Sequence, residues 1–316
     1  MRYIDQLREG MHVSDVYLCK TKQIALTKNG KEYGSLLLQD KTGTVDAKIW
    51  DLGSPGIGTF EAMDYVYLDG DVTVFQNANQ INVKRIRRAD EDEYIPADYL
   101  PVSSKNIQEM YAELAALVQS IKNPYLHQLA AGYFVEDKAF VKAFCFHSAA
   151  KSVHHGFVGG LLEHTLSVMK LCDYYAGYYK RINRDLLLTA ALFHDIGKTK
   201  ELSCFPENDY TDDGQLLGHI VIGAEMVGIT MRSIKGFPPT LATELKHCIL
   251  AHHGELEYGS PKKPALLEAL ALNFADNTDA KMETMIEALN AGASTGNKGW
   301  LGFNRLLDTN IRKTSE

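Results

Sequence analysis

LLLTAALFHDIGKTKEL, residues 186–202, begins as an apolar, helix-forming run and ends on His194-Asp195-Ile196-Gly197-Lys198. A helix that only filled a core would not need an imidazole and a carboxylate side by side at its end. Adjacent side chains on a continuous helix diverge by about 100°. His194 and Asp195 can therefore reach one point only at a helix end or an irregular turn, and Gly197 is expected to permit that break. Asn183, just upstream, has the side chain of an N-cap.

Outward from this dyad, metal-type side chains recur at His164, His219, His252-His253 and Asp276. Almost all lie on or at the ends of stretches with apolar residues at three- and four-residue steps: 107–121, 162–179, 185–197, 218–234, 240–254 and 265–290. Pro238-Pro239 is suited to open one of these helices. From about residue 106 the chain reads as all-α. Imidazoles and carboxylates gathered from several helices suit a hard or borderline divalent ion such as Mn²⁺, Fe²⁺, Mg²⁺, Zn²⁺ or Co²⁺. Asp195 has two oxygens and can bridge two ions. A pair about 3.5–4 Å apart activates water and steadies the leaving oxygen of a phosphodiester. His12, His127, His147 and His247 show no such pattern and read as ordinary hydrogen-bonded side chains.

Residues 11–88 have a different period. Five short runs rich in Val, Ile, Tyr and Leu are separated by turn residues, among them Asp40-Lys41-Thr42-Gly43. The fourth run, from Asp64 to Gln76, is expected to bend near Gly70. Five strands in so short a span fit an all-β, five-stranded OB barrel, with residues 51–63 as the helix or loop before the fourth strand. The barrel domain is assigned to residues 1–88. Residues 89–105, ADEDEYIPADYLPVSSK, are acidic, carry two prolines and show no period, and they read as a linker. The helical domain then runs over 106–316.

Composition limits the alternatives. The 316 residues are 45% hydrophobic and 23% charged, which is ordinary for a globular chain of about two domains. No apolar run reaches the roughly 18 residues of a membrane span, and the N-terminus lacks a signal-peptide pattern, so the cytoplasm is the expected compartment. The five cysteines are scattered and odd in number, which fits reduced thiols better than disulfides. A net charge of −7 does not advertise a nucleic-acid binder, nor does it exclude one, since a local basic patch is enough, and Lys84-Arg85-Ile86-Arg87-Arg88 is such a patch.

The spaced H…HD…H…HH…D set resembles the HD superfamily of metal-dependent phosphohydrolases, an all-helical fold. The resemblance implies that His164, His194, Asp195 and Asp276 hold a first metal. It implies that His219 and one of His252 or His253 hold a second, with spacing unable to choose between those two. Lys198 falls where many relatives keep a lysine, which faces phosphate. The glutamate that accompanies a third metal in trinuclear relatives is replaced here by Gly160. More narrowly, HHGFVGGLLEHTLSVMKLCDYYA (154–176), ALFHDIGKTKEL and GHIVIGAEMV behind an OB-like domain resemble the YhaM-type 3′→5′ exoribonucleases. That likeness implies a manganese-type two-ion hydrolase releasing nucleoside 5′-monophosphates. His154 and His155 belong to its pattern, either touching substrate or water near the metals or capping the following helix.

KEYGSLLLQDKTGTVDAKIWD resembles the second and third strands of nucleic-acid-binding OB domains. On such a barrel, aromatics stack bases while Lys and Arg follow phosphates. Tyr33, Lys48, Trp50, Phe75 and Lys84 are the candidates for binding single-stranded RNA or ssDNA. Trp50 and Phe75 fit a barrel core equally well. Two alternatives stay open: an HD enzyme acting on small nucleotides, and a nucleic-acid-binding module without catalysis. Trp300, Leu301, Phe303, Leu306 and Leu307 near the C-terminus are suited to packing on the same chain or to a contact in a homo-oligomer.

Overall fold

The computed structural model describes residues 1–27, 29–76, 78–151, 155–294 and 299–315. They divide into two compact units, Met1–Val102 and Ser103–Glu316.

In the first unit, β1 (His12–Leu26), β2 (Glu32–Asp40), β3 (Gly43–Ile49), β4 (Tyr65–Phe75) and β5 (Ala78–Arg88) close into a barrel in the order β1-β2-β3-β5-β4. β1 closes on β4 antiparallel, and β3 meets β5 in parallel. Alternation along β2 and β3 sends Leu36, Leu38, Val45, Ala47 and Ile49 inward, where they pack with Tyr17, Val66, Leu68 and Ile81. The expected bend in β4 is a register shift between Asp69 and Gly70. A Cβ at Gly70 would lie 2.5 Å from the Asn82 carbonyl oxygen, so only glycine lets β4 and β5 approach this closely. Residues 51–63 form a loop, with Phe60 driven into the core.

The stretch expected to be a linker is mostly part of this unit. Tyr94 stacks on Tyr65 at 3.8 Å between ring centroids, Tyr99 and Leu100 are buried, and Asp98 pairs with Lys41 at 2.8 Å. Isolated aromatics with neither helical nor strand spacing carry this packing, which is why periodicity did not show it.

The second unit contains α1 (Ile107–Gln119), α2 (Pro124–Ala131), α3 (Lys138–Phe146), α4 (Gly160–Tyr178), α5 (Arg184–Phe193), α6 (Lys198–Glu201), α7 (Asp212–Leu216), α8 (Gly218–Ser233), α9 (Pro239–Leu250) and α10 (Leu267–Ser294). Every residue of α5 from Leu186 to Phe193 is buried. Asn183 caps α5 by accepting from the Leu186 N–H at 3.2 Å, and Pro238-Pro239 opens α9 as expected. The turn after α2 and helix α3 join the core through edge-to-face contacts of Phe134 with Phe140, Phe144 and Phe193. The expectation of an all-α domain needs one correction. β6 (Trp300–Asn304) and β7 (Thr309–Arg312) form an antiparallel hairpin against α10, anchored by the buried Ile311. Trp300, Phe303 and Leu306 remain exposed on it.

Candidate metal centre

α5 stops at Phe193, and residues 194–197 form a turn before α6. The helix therefore ends where His194 and Asp195 must both turn inward. Gly197 serves this turn differently from expectation. Its φ is −62°, a value any residue adopts. A Cβ there would lie 2.0 Å from the His219 carbonyl oxygen and 2.8 Å from the Gly223 nitrogen. Glycine is needed because the first turn of α8, which carries His219, packs directly on the dyad's turn.

α4 contributes His164, the α5–α6 turn His194 and Asp195, α8 His219, the turn after α9 His252 and His253, and α10 Asp276. These side chains meet. His164 Nε2 lies 3.2 Å from His194 Nε2, 3.3 Å from Asp195 Oδ2 and 3.2 Å from Asp276 Oδ1. On the other side, Asp195 Oδ1 lies 3.4 Å from His219 Nε2 and 3.8 Å from His252 Nε2. His219, His252 and His253 place their ligating nitrogens within 4.8 Å of one another, as do the donors of His164, His194 and Asp276. Both histidines of the 252–253 pair thus face His219. Asp195 offers one oxygen to each group.

The donor set fits divalent ions on two observations. Each of the five imidazoles directs Nδ1 to a partner. His194, His252 and His253 donate to the carbonyls of Ala191, Ile249 and Tyr258 at 2.7, 2.7 and 2.9 Å. His164 and His219 meet the carboxylates of Asp279 and Glu201 at 2.7 and 3.0 Å. With Nδ1 so engaged, Nε2 is the atom left for a metal. Second, Asp195 Oδ1, His219 Nε2 and His252 Nε2 are buried without a hydrogen bond among the described residues. Buried polar atoms are rarely left so unless a water or ion completes them.

The charges interlock. Burial opposes an imidazolium at His164, but hydrogen bonds to Asp195, Asp276 and Asp279 outweigh it and hold the pKa well above the ordinary value. Burial would raise Asp195, yet the Lys198 ammonium, His194 and the hydrogen bonds hold it well below. Asp276 and Asp279 are likewise lowered against burial, chiefly by hydrogen bonds from histidines. Burial, reinforced by neighbouring histidines, keeps His252 and His253 below the ordinary imidazole range. Lys198 Nζ pairs with Asp195 Oδ2 at 2.7 Å.

Sequence reasoning missed Asp279 and Glu201. Asp279 accepts from Ser167 and lies 3.1 Å from His155 Nε2 as well as against His164. Its spacing from Asp276, one helical turn along α10, was the available signal. Glu201 also accepts the backbone N–H of His219 at 3.0 Å. His155 is buried against Asp279, while His154 lies outside the described residues.

On the barrel, Tyr33 stacks on Trp50 at 5.1 Å, Lys48 Nζ lies 6.0 Å from the Tyr33 ring centre, and Trp50 Nε1 donates to Asn82 Oδ1 at 2.9 Å. Trp50 is 47% and Phe75 59% exposed, so neither is barrel core. Phe75 sits at the β4–β5 turn, paired with Ala78. Lys84 is exposed and pairs with Asp71 at the surface. Its neighbours in the basic patch are also engaged: Arg85 with Asp69, Arg87 with Glu93 and Arg88 with Asp64.

Fold and site together define an HD-type metal-dependent domain behind an OB-type barrel, and the HD domain family model matches residues 161–281. The chain is 35% identical over 281 residues to the 3′-5′ exoribonuclease YhaM of Bacillus velezensis, covering 89% of this chain and 88% of that protein. It is 34% identical to the YhaM proteins of Bacillus licheniformis, over 87% of each chain, and of Bacillus subtilis, over 89% of this chain and 88% of the relative. The chain belongs to the YhaM family of 3′-5′ exoribonucleases.

Proposed function

We propose that the chain hydrolyses single-stranded RNA from its 3′ end, and ssDNA where it is offered, releasing nucleoside 5′-monophosphates. The observation that carries this reading is the buried convergence of His164, His194, Asp195, His219, His252, His253 and Asp276. His164, His194, Asp195 and Asp276 would hold one divalent ion, and Asp195, His219, His252 and His253 a second, with manganese the favoured species. Such ions, when bound, supply a water of lowered pKa and neutralise charge on the phosphate. The protein's own part is positioning. Asp279 and Glu201 fix the rings of His164 and His219. Lys198, beside Asp195, is placed to offset charge on a phosphate oxygen. Tyr33, Lys48 and Trp50 offer bases a stacking surface with a cation beside it. The working compartment in this reading is the cytoplasm.

The test compares 5′-labelled RNA oligomers with free and blocked 3′ ends, with Mn²⁺ and with EDTA. Stepwise shortening of the free-ended RNA alone, abolished by EDTA and by Asp195→Ala, is the expected result. Cleavage that ignores the block, or persists in Asp195→Ala, refutes the assignment. Mononucleotide release confined to dNTPs or cyclic dinucleotides would replace RNA as the substrate.

A further inference from the structure

One cavity of about 390 Å³ opens onto His164, Asp195, Lys198, His253 and Asp276. Its remaining wall has a different chemistry and includes Tyr258, Asn277, Lys281, Leu306 and Leu307. We propose that this wall is the subsite for the 3′-terminal nucleoside of the RNA, with the turn of the C-terminal hairpin as its apolar side. The inference rests on the exoribonuclease reading and adds where the departing nucleotide is held.

Size is the first support. Pockets of about 300–1,000 Å³ hold single small ligands, so this cavity suits one nucleotide and not a run of them. Placement is the second. Asp276, Asn277, Lys281 and Thr284 share a face of α10 and all line the cavity. Lys281 follows Asp276 by about 7.5 Å along the helix axis, five residues at 1.5 Å each. Polar groups therefore continue away from the metal ligands over roughly the length of a nucleoside. Among the described residues, neither Asn277 nor Lys281 has a side-chain hydrogen bond or ion pair, so both are available to a ribose hydroxyl, a base edge or a phosphate.

The apolar members are the third support. Leu306 is 63% and Tyr258 69% exposed, so core packing does not explain either. The turn carrying Leu306 and Leu307 is held by the hairpin's anchor Ile311, and it lies outside residues 161–281, the span matched by the HD model. The Tyr258 carbonyl accepts from His253 Nδ1 at 2.9 Å, tying the aromatic's segment to a metal-ligand candidate. A ring and two leucines offer apolar contact that the face of any base can use.

The test is calorimetric titration of the manganese-loaded protein with 5′-AMP and with inorganic phosphate, in wild type and in Tyr258→Ala, Leu306→Ala and Asn277→Ala. Wild type is expected to bind AMP at least tenfold tighter than phosphate. Each variant should lose most of that margin while its phosphate affinity stays near wild type. Tyr258→Ala and Leu306→Ala change exposed side chains, and a thermal melt matching wild type shows that they fold. Equal affinity for AMP and phosphate in wild type, or AMP binding unaltered in all three variants, overturns the subsite. If wild type binds AMP but does not shorten RNA from its 3′ end, the exonuclease reading fails and the RNA assignment of the subsite fails with it. If RNA is shortened normally and only the AMP margin is missing, the subsite alone is lost.

Discussion

Replacing Asp279 with asparagine removes one charge and almost no volume. The carboxylate meets His164 Nδ1 at 2.7 Å and His155 Nε2 at 3.1 Å, and it accepts from Ser167. An amide oxygen can keep the histidine contacts, and the amide NH₂ can donate to the serine oxygen after the hydroxyl rotates. What is lost is the charge assistance in two buried hydrogen bonds. A hydrogen bond to a charged group is worth about 1.5–3 kcal/mol and a neutral one about 1, so the two together lose about 1–4 kcal/mol. Outer-shell substitutions of this kind typically cost about 10–100-fold in metal affinity or activity, or about 1.4–2.8 kcal/mol. The two estimates overlap, and Asp279→Asn is expected to bind Mn²⁺ about 10–100-fold more weakly than wild type. The assay is calorimetric Mn²⁺ titration, paired with the Mn²⁺ dependence of RNA cleavage. Saturating Mn²⁺ should recover most of kcat, because a positioning residue acts through the ligand it orients. A Mn²⁺ affinity within twofold of wild type, in a variant that melts normally, would refute the role given to Asp279.

Other perturbations follow from the same contacts. Gly197→Ala puts a Cβ 2.0 Å from the His219 carbonyl, which must displace α8; a loss of at least about 1–3 kcal/mol in a thermal or urea melt is expected, together with weaker binding of the second ion. Removing metal with EDTA should lower the melting temperature as well as abolish cleavage, because ions that bind only the folded site stabilise it, and added Mn²⁺ should restore both. Trp50→Ala, at a half-exposed position, should raise KM for long RNA by the equivalent of about 1–3 kcal/mol with little change in melting temperature. Phe134→Ala, in the centre of the aromatic cluster, should cost about 3–5 kcal/mol in denaturant unfolding.

Much of this molecule could be read before any coordinates. The strand alternation over 11–88 and the helical period after 106 each reflect one face turned to a core, which is the signal that sequence patterns carry. The ligand candidates were visible because imidazoles and carboxylates at apolar helix ends are chemically conspicuous. Other features left no such trace. Tyr94 and Tyr99 pack on the barrel through single rings outside any period. Asp279 and Glu201 look like ordinary helix carboxylates until their distances to His164 and His219 are known. The basic patch at 84–88 was legible as charge, but the acids that neutralise it come from β4, its flank and the segment after β5. Gly197 was noticed for the wrong reason, since a neighbour's backbone, which no local pattern reports, dictates it.

Anomalous diffraction from crystals grown with Mn²⁺ bears on all of this at once. Two manganese peaks are expected, one among His164, His194, Asp276 and Asp195 Oδ2 and the other among His219, His252, His253 and Asp195 Oδ1. Manganese absent from this cluster at saturating concentration, or bound only elsewhere on the chain, would contradict the metal centre and with it the hydrolase built upon it.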